Sequence, residues 1–261
     1  MNPLLQAENV SYSIKGKAVI HPLDMRLHAG ELCVVIGPNG AGKSTLLSLL
    51  AGSLRPDAGS IDLAGRPLRS WGAAQAGRLR SVMGQDSHVA FGFSVAEVVR
   101  FGRTPWRNTP QGADDEHAIG AALARTGLDG LAGRTVTTLS GGERQRTAFA
   151  RVLAQRARVV MLDEPVAAMD IKHAESTLQI ARELAREGHA VVAVLHDLDA
   201  AAAYADRLIL LDAGRIVAQG GVEDVARSAL LSRVYGTRID TWIDPADGRV
   251  HVAPARSWAR R

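Results

Sequence analysis

The chain has 261 residues, of which 46% are hydrophobic and 22% are charged, and its formal net charge is +4. This composition is typical of a folded protein and excludes an intrinsically disordered one, which combines low hydrophobicity with high net charge. Cys33 is the only cysteine, which excludes an internal disulfide framework and a cysteine metal cluster. The basic excess is modest and scattered, so we expect no nucleic-acid partner.

Targeting and membrane-spanning signals are not expected from the sequence. Residues 1–10 include Glu8 and lack a basic start followed by an apolar core, as a secretory signal would have. The longest apolar stretches, such as residues 190–195, are far shorter than the roughly 18 residues that span a bilayer. If the protein works at a membrane, another chain is expected to supply the spanning helices.

The first third of the chain contains two kinds of strand candidate. Residues 9–14 and 59–63 alternate in polarity, as antiparallel strands do, whereas residues 32–36 form a continuous apolar run. A glycine-rich turn and a helix candidate at 43–51 follow that run. Between about residues 86 and 154 the strand pattern disappears, and residues 95–101, 114–126 and 142–154 read as helices.

The strand pattern returns in the last third. Short apolar runs at residues 159–162, 190–195 and 207–211 predict buried strands, and a helix candidate at 198–205 follows the second of them. Residues 212–214 form a hairpin signal between 208–211 and 216–218, and a short helical and extended tail follows residue 222. Such alternation indicates a parallel sheet covered on both faces, whose functional groups gather at the carboxyl ends of its strands.

A glycine-rich segment between the apolar run 32–36 and the helix candidate 43–51 matches the pattern G-x-x-x-x-G-K-[ST]. Glycines let the backbone amides face a phosphate chain, and the helix that begins there adds its positive end. Lys43 can neutralise the β and γ phosphates of ATP, Ser44 can ligate Mg²⁺, and Thr45 can contact the α-phosphate. The flanking strand and helix disfavour the alternative of a glycine-rich turn with a chance lysine. The predicted nucleotide site comprises Gly37, Pro38, Asn39, Gly40, Ala41, Gly42, Lys43, Ser44 and Thr45.

Two acids and a histidine follow the later strands. Adjacent acids at a buried strand end are costly unless they face a cation or polar partners, so Asp163 suits the Mg²⁺ shell and Glu164 suits a catalytic base. The alternative is a pair of helix-capping acids before Pro165. His196 can contact the γ-phosphate and help to place water, although its position equally allows a histidine that caps the next helix. The other seven histidines show no metal-ligand spacing.

The segment 139–143 predicts a second anion site. Ser140 can cap a helix while Gly141 and Gly142 leave its first amides bare. A chain with two such helix starts and one phosphate loop would be completed by a second copy, each offering this segment to the other's nucleotide. An ordinary capped helix after a glycine-rich loop is the alternative.

These motifs together resemble the ATPase domain of ATP-binding-cassette (ABC) proteins over about residues 5–225. The resemblance implies an α/β fold with a P-loop NTPase parallel-sheet core, an antiparallel β subdomain and an inserted helical subdomain. The single domain 1–261 would divide into the core with the β subdomain (about 1–85 and 155–225), the helical subdomain (about 86–154) and a tail (226–261). It also implies that ATP and Mg²⁺ close a sandwich of two copies and that hydrolysis reopens it.

The resemblance also assigns roles to individual residues. Gln85 resembles the glutamine that links Mg²⁺ and catalysis to a membrane partner, and His196 resembles the switch histidine. Ser140, Gly141 and Gly142 would act on the partner's γ-phosphate, with Asp170 as the D-loop aspartate and Tyr12 as the adenine-stacking aromatic. The sequence departs from the family at Glu143, where glutamine is common, at residues 167–170, where Ser-Ala-Leu-Asp is usual, and at Gly84, where proline is frequent.

Residues 85–103 and the tail segment 244–254 resemble the importer group that moves iron-siderophores, haem and vitamin B12, and within it the haem importers. The implied function is that of an ATP-hydrolysing energy-coupling subunit, peripheral to the cytoplasmic face of the bacterial inner membrane. Its implied partners are a second copy, transmembrane permease subunits and, indirectly, a periplasmic binding protein. Haem is the expected cargo, with an iron-siderophore or cobalamin as alternatives. A soluble cassette ATPase for cofactor assembly is an alternative of another class.

Overall fold

A computed structural model describes residues 2–84 and 92–256. Its strands are β1 (Leu5–Ile14), β2 (Lys17–Leu27), β3 (Glu31–Ile36), β4 (Ala58–Leu63), β5 (Arg66–Pro67), β6 (Arg80–Met83), β7 (Val159–Asp163), β8 (Ala190–Val194), β9 (Arg207–Asp212), β10 (Arg215–Gly220), β11 (Ile239–Ile243) and β12 (Val250–Pro254). Its α-helices are α1 (Lys43–Ala51), α2 (Ala73–Leu79), α3 (Val95–Phe101), α4 (Asp115–Arg125), α5 (Gly141–Gln155), α6 (Ile171–Arg186), α7 (Leu198–Tyr204), α8 (Val222–Val225) and α9 (Ser228–Tyr235).

A six-stranded sheet in the order β10-β9-β3-β8-β7-β6 forms the centre of the molecule. All neighbouring pairs are parallel except β9 and β10. Strands β7 and β8 are buried along their whole length, and all of their hydrophobic side chains pack into a hydrophobic layer on one face or the other. The predicted strands at 32–36, 159–162, 190–195 and 207–211 are therefore confirmed to within one residue.

A second sheet, in the antiparallel order β2-β1-β4-β5, confirms the alternating strands predicted at 9–14 and 59–63. Strand β2 was not predicted from the sequence, because its pattern is interrupted by His21 and Pro22. Proline is tolerated there because β2 lies at the edge of its sheet. Helix α6 was not predicted either, although buried residues at positions 177, 178, 181, 184 and 185 give the spacing of an amphipathic helix.

The hairpin between β9 and β10 confirms the turn predicted at 212–214. Asp212 pairs with Arg215, so Ala213 and Gly214 form a two-residue turn with φ angles of 43° and 74°. The Gly214 amide donates to the carbonyl of Ala41 over 2.9 Å. A Cβ on Gly214 would lie 2.2 Å from the Val19 carbonyl oxygen. Only glycine therefore lets this turn pack so closely against β2.

In the described part of residues 92–158 the structure contains helices and no strand, as the sequence predicts. Helix α3 begins at a capping box in which Ser94 and Glu97 bond each other's backbone amides. Helices α3, α4 and α5 share a hydrophobic core of their own, which includes Val99, Ile119 and Ala150. Helix α5 also contacts β6, so it connects helices α3 and α4 to the central sheet.

Two further features of the fold concern single elements. Cys33 lies in β3 and is fully buried, which raises the pKa of its thiol to about 12. The tail continues from α9 into the antiparallel hairpin β11–β12, in agreement with the helical and extended tail predicted after residue 222. Among the described residues, no helix has both the length and the apolar character needed to cross a lipid bilayer.

Candidate nucleotide site

The glycine-rich loop connects the end of β3 to the first residue of α1. Gly42, at the N-cap of α1, has a φ of 100° and gives the helix no side-chain cap, so its first backbone amides are not covered by a capping side chain. Gly37 has a φ of 152°, and a Cβ there would lie 2.0 Å from the backbone oxygen of Leu211. Close packing against β9 therefore demands glycine at the loop entrance, and the loop presents a helix N-terminus suited to an anion.

Lys43 holds its ammonium group at the loop. The residue is only 6% exposed, and its Nζ donates to the carbonyl oxygens of Gly37 at 2.6 Å and Pro38 at 2.9 Å. Burial lowers the pKa of Lys43, while the nearby carboxylates of Glu164 and Asp163 oppose that shift. A buried cation beside uncapped amides is the arrangement that a phosphate chain requires.

Ser44 and Asp163 join the start of α1 to the end of β7. The Ser44 hydroxyl donates to Oδ1 of Asp163 over 3.2 Å. Asp163 is 5% exposed, and burial raises the pKa of its carboxyl, an effect that the Ser44 hydrogen bond partly offsets. A hydroxyl and a carboxylate side by side are hard oxygen ligands of the kind that Mg²⁺ prefers, so these two residues fit a magnesium ion.

Glu164 and His196 meet across neighbouring strand ends. Nε2 of His196 lies 2.5 Å from Oε1 of Glu164. Glu164 has a positive φ of 50°, and its amide donates to the carbonyl of Val194 over 3.2 Å. Because β8 lies between β3 and β7, the sheet order brings the ends of all three strands together, as the sequence analysis expects.

A cavity of about 580 Å³ gathers these groups. It is lined by Val19, Asn39, Gly40, Gly42, Lys43, Ser44, Thr45, Glu164 and His196. All of these residues were predicted from the sequence except Val19, which belongs to the unpredicted strand β2. Tyr12 is not among the lining residues; it pairs with Ile20 and packs, half-buried, on the hydrophobic core.

The segment that begins α5 lies elsewhere. Ser140 is the N-cap: its hydroxyl accepts from the Glu143 amide at 3.3 Å, and Oε2 of Glu143 accepts from the Ser140 amide at 2.7 Å. The second of these bonds lowers the pKa of Glu143. Because of these capping bonds, a glutamate at position 143 is compatible with a well-capped helix. Ser140, Gly141 and Gly142 do not line the cavity of about 580 Å³ in the same chain.

The loop before α6 packs against this helix start. A Cβ on Gly142 would lie 3.2 Å from the backbone oxygen of Ala168, which itself has a positive φ of 73°. Asp170 caps α6 by accepting from the His173 amide at 2.9 Å, and this bond lowers the pKa of Asp170. Gln85, predicted as a metal and catalytic residue, lies outside the described residues.

Two groupings were missed by the sequence analysis. Gln145 donates from Nε2 to the backbone oxygen of Glu164 over 2.8 Å, a contact that no local pattern announces. Asp244, Asp247 and His251 bring their ligand atoms within 4.8 Å of one another, although the sequence analysis found no metal-ligand spacing for histidine. Each of the three already has a protein partner: the Ala246 amide for Asp244, the Arg249 guanidinium for Asp247 and the Asp199 carboxylate for His251.

Comparisons with known proteins agree with this geometry. A family model described as ABC transporter matches residues 20–167. A relative from Streptomyces coelicolor, Hemin import ATP-binding protein HmuV, is 46% identical over 97% of this chain and 91% of its own length. A relative of the same name from Nocardia farcinica is 47% identical over 92% of this chain and 84% of its own length. A solved structure described as a metal-chelate type ABC transporter in an inward-facing conformation aligns with a TM-score of 0.82 at 28% identity and covers 98% of both chains.

The parallel sheet, the loop at Lys43 and the acids at the end of β7 define a nucleotide-binding protein of the P-loop class. Since the family model covers more than half of the chain and the relatives nearly all of it, the chain belongs to the ABC transporter family. It is an ATP-binding ATPase of that family, and the fold class expected from the sequence is confirmed.

Proposed function

We propose that this chain is the energy-coupling subunit of a bacterial importer of haem and that it hydrolyses ATP in the cavity between β3, β8 and β7. The observation that carries the proposal is the juxtaposition of Glu164 and His196, 2.5 Å apart, at the wall of the cavity that Lys43 also lines. Haem as the cargo is supported by two relatives named for hemin import, each more than 45% identical over most of the chain.

We assign the chemical steps to these residues as follows. The amides of the glycine-rich loop and Lys43 bind the phosphates of ATP, with Thr45 at the α-phosphate. Ser44 and Asp163 would hold Mg²⁺, which would supply neutralising positive charge to the phosphate chain. Glu164 orients and deprotonates the attacking water, and His196 holds that carboxylate and reaches toward the γ-phosphate. Gln85 is assigned to the same metal and water on family resemblance.

The site is completed, in this proposal, by a second copy of the chain. Ser140, Gly141 and Gly142 present a helix N-terminus that does not line its own cavity, so it is free to bind the γ-phosphate held by the partner. Asp170 lies in the loop beside that helix start and would face the same interface. Tyr12 is assigned to adenine stacking on family resemblance.

The membrane partner is a permease, and the chain is peripheral to the cytoplasmic face of the inner membrane. The inward-facing transporter structure, which covers 98% of this chain at 28% identity, supports such an assembly. A periplasmic binding protein would deliver cargo to the permease without touching this subunit. We propose a helical subdomain at about residues 86–154, a core with the β subdomain at about 1–85 and 155–225, and a tail at 226–261.

The proposal is tested by reconstituting the chain in proteoliposomes with the permease and binding protein encoded beside it. ATP-dependent uptake of haem should exceed uptake of a ferric siderophore and of cobalamin, and a complex that carries Glu164→Gln should lose it. Preferred uptake of either competitor would overturn haem as the cargo. Failure of the chain to associate with any permease, together with capture of a soluble scaffold, would favour the cofactor-assembly alternative.

A further inference from the structure

A single side chain connects the helix of the Ser140 segment to the backbone of Glu164. Gln145 lies on the first turns of α5, is half-buried and donates from Nε2 to the Glu164 carbonyl oxygen over 2.8 Å. We propose that Gln145 is a positioning residue that sets the backbone of the catalytic Glu164 and couples it to the start of α5.

The backbone of Glu164 needs such support. Its φ of 50° lies in the left-handed region, which non-glycine residues adopt rarely and only when their surroundings impose it. Three hydrogen bonds hold the backbone of Glu164. Its amide donates to the Val194 carbonyl at 3.2 Å, and its carbonyl accepts from the Ala167 amide at 3.2 Å and from Gln145 at 2.8 Å. The shortest of the three is the one from α5.

The direction of the Glu164 side chain follows from this backbone conformation. Its carboxylate lies against His196 and lines the cavity, although the residue sits just beyond the end of β7. If the peptide rotated, the carboxylate would move away from the position where it can meet water at the γ-phosphate. A displacement of about 1 Å in a reacting group is enough to reduce a rate about 100-fold.

Helix α5 packs closely against the loop that follows Glu164. A Cβ on Gly141 would lie 3.4 Å from the Cβ of Ala168, and a Cβ on Gly142 would lie 3.2 Å from the Ala168 backbone oxygen. The two glycines therefore allow the close contact. The coupling rests on the proposed dimer, in which the γ-phosphate held by the partner would bind the amides at the start of this helix. A shift of α5 on binding would then reach Glu164 of the same chain through Gln145, so that each nucleotide affects hydrolysis of the other.

The test compares Gln145→Ala with a matched control, Gln155→Ala. Gln155 lies on the same helix and also donates to a backbone carbonyl, that of Arg80 at 2.7 Å, but it does not contact Glu164. We expect Gln145→Ala to lower kcat about 10-fold or more, to change the KM for ATP by about 2-fold or less, and to bring the Hill coefficient for ATP toward 1. Gln155→Ala should alter the melting temperature without changing the Hill coefficient.

Two further substitutions separate positioning from folding. Gln145→Glu keeps the size of the side chain but replaces the donor with a carboxylate, so it should reproduce the loss of kcat. Gln145→Lys restores a donor of similar reach and should recover part of the rate. If Gln145→Ala does not fold, the comparison of Gln145→Glu with Gln145→Lys decides. Equal kcat values in these two variants would overturn the inference. Wild-type kcat and Hill coefficient in Gln145→Glu would overturn it as well.

Failure of the inference is distinguishable from failure of the proposed function. If the wild-type chain does not hydrolyse ATP, or if its Glu164→Gln variant stays monomeric with saturating ATP, the proposed function fails. If wild type hydrolyses ATP with a Hill coefficient above 1 and Gln145→Ala behaves in the same way, only the positioning role fails.

Discussion

His196 and Glu164 hold each other at the wall of the nucleotide cavity, with Nε2 of the imidazole 2.5 Å from Oε1 of the carboxylate. The histidine side chain is 46% exposed, whereas the glutamate side chain is 17% exposed. The carboxylate is thus the more buried of the two partners, although both residues line the cavity. In the proposed function Lys43 serves ATP binding and Glu164 serves hydrolysis, so variants at these two positions should separate the two steps.

Replacing the base should leave binding intact. We expect Glu164→Gln to bind ATP as wild type does and to lose turnover by about 100-fold or more, because the amide cannot accept a proton from water. The variant should accumulate as an ATP-bound dimer, detectable by size-exclusion chromatography with light scattering. Lys43→Ala provides the contrast, since it should lose ATP binding itself. Rapid turnover by Glu164→Gln would remove this residue from the role of base.

Blocking the start of α5 should stop the partner's site. Ser140→Arg places a long cation where the proposed dimer needs bare amides, so the homogeneous variant should be inactive even though its own phosphate loop is intact. When it is mixed with Lys43→Ala subunits, a mixed dimer has one site that carries both substitutions. The other site combines an intact Lys43 with an intact Ser140. ATPase activity should reappear in the mixture. An inactive mixture with proven mixed dimers would mean that a single intact site cannot turn over.

The entrance of the phosphate loop should tolerate no side chain. Gly37→Ala would put a Cβ 2.0 Å from the Leu211 oxygen, so we expect a loss of about 2–4 kcal/mol in the free energy of unfolding and weaker ATP binding. Gly188→Ala is the matched control: its φ is 96°, and a Cβ would meet nothing within 4 Å. It should lose only about 1–2 kcal/mol, the strain of the backbone alone. Urea unfolding of both variants measures the difference, and equal losses would contradict the packing argument.

The capping box at Glu143 should be dispensable for catalysis but visible in stability. Because the Ser140 amide lowers the pKa of Glu143, the stabilisation is full above the ordinary glutamate pKa and is lost as the pH falls through the lowered value. Glu143→Ala should reduce stability by about 0.5 kcal/mol at pH 7, with a smaller difference toward pH 3. Glu143→Gln keeps an acceptor and should retain ATPase activity. A deficit that grows on acidification would contradict this assignment.

The sequence predicted the parallel sheet and most of the residues that line the cavity of about 580 Å³, because those signals are local. Continuous apolar runs mark β7 and β8, and the glycine spacing before Lys43 marks the loop. Contacts between distant segments leave no such pattern. The bond from Gln145 to the Glu164 carbonyl depends on how α5 packs against β7, and Val19 reaches the cavity through an edge strand interrupted by Pro22.

The burial of Cys33 has a practical consequence for studying this ATPase. Its thiol is inaccessible, and with a pKa of about 12 almost none of it is the reactive thiolate at neutral pH. We therefore expect the native chain not to react with maleimide reagents. A cysteine introduced at the exposed Ser176 on α6 could carry a fluorophore or spin label without any background substitution, and the approach of two copies could be followed by distance measurements during turnover.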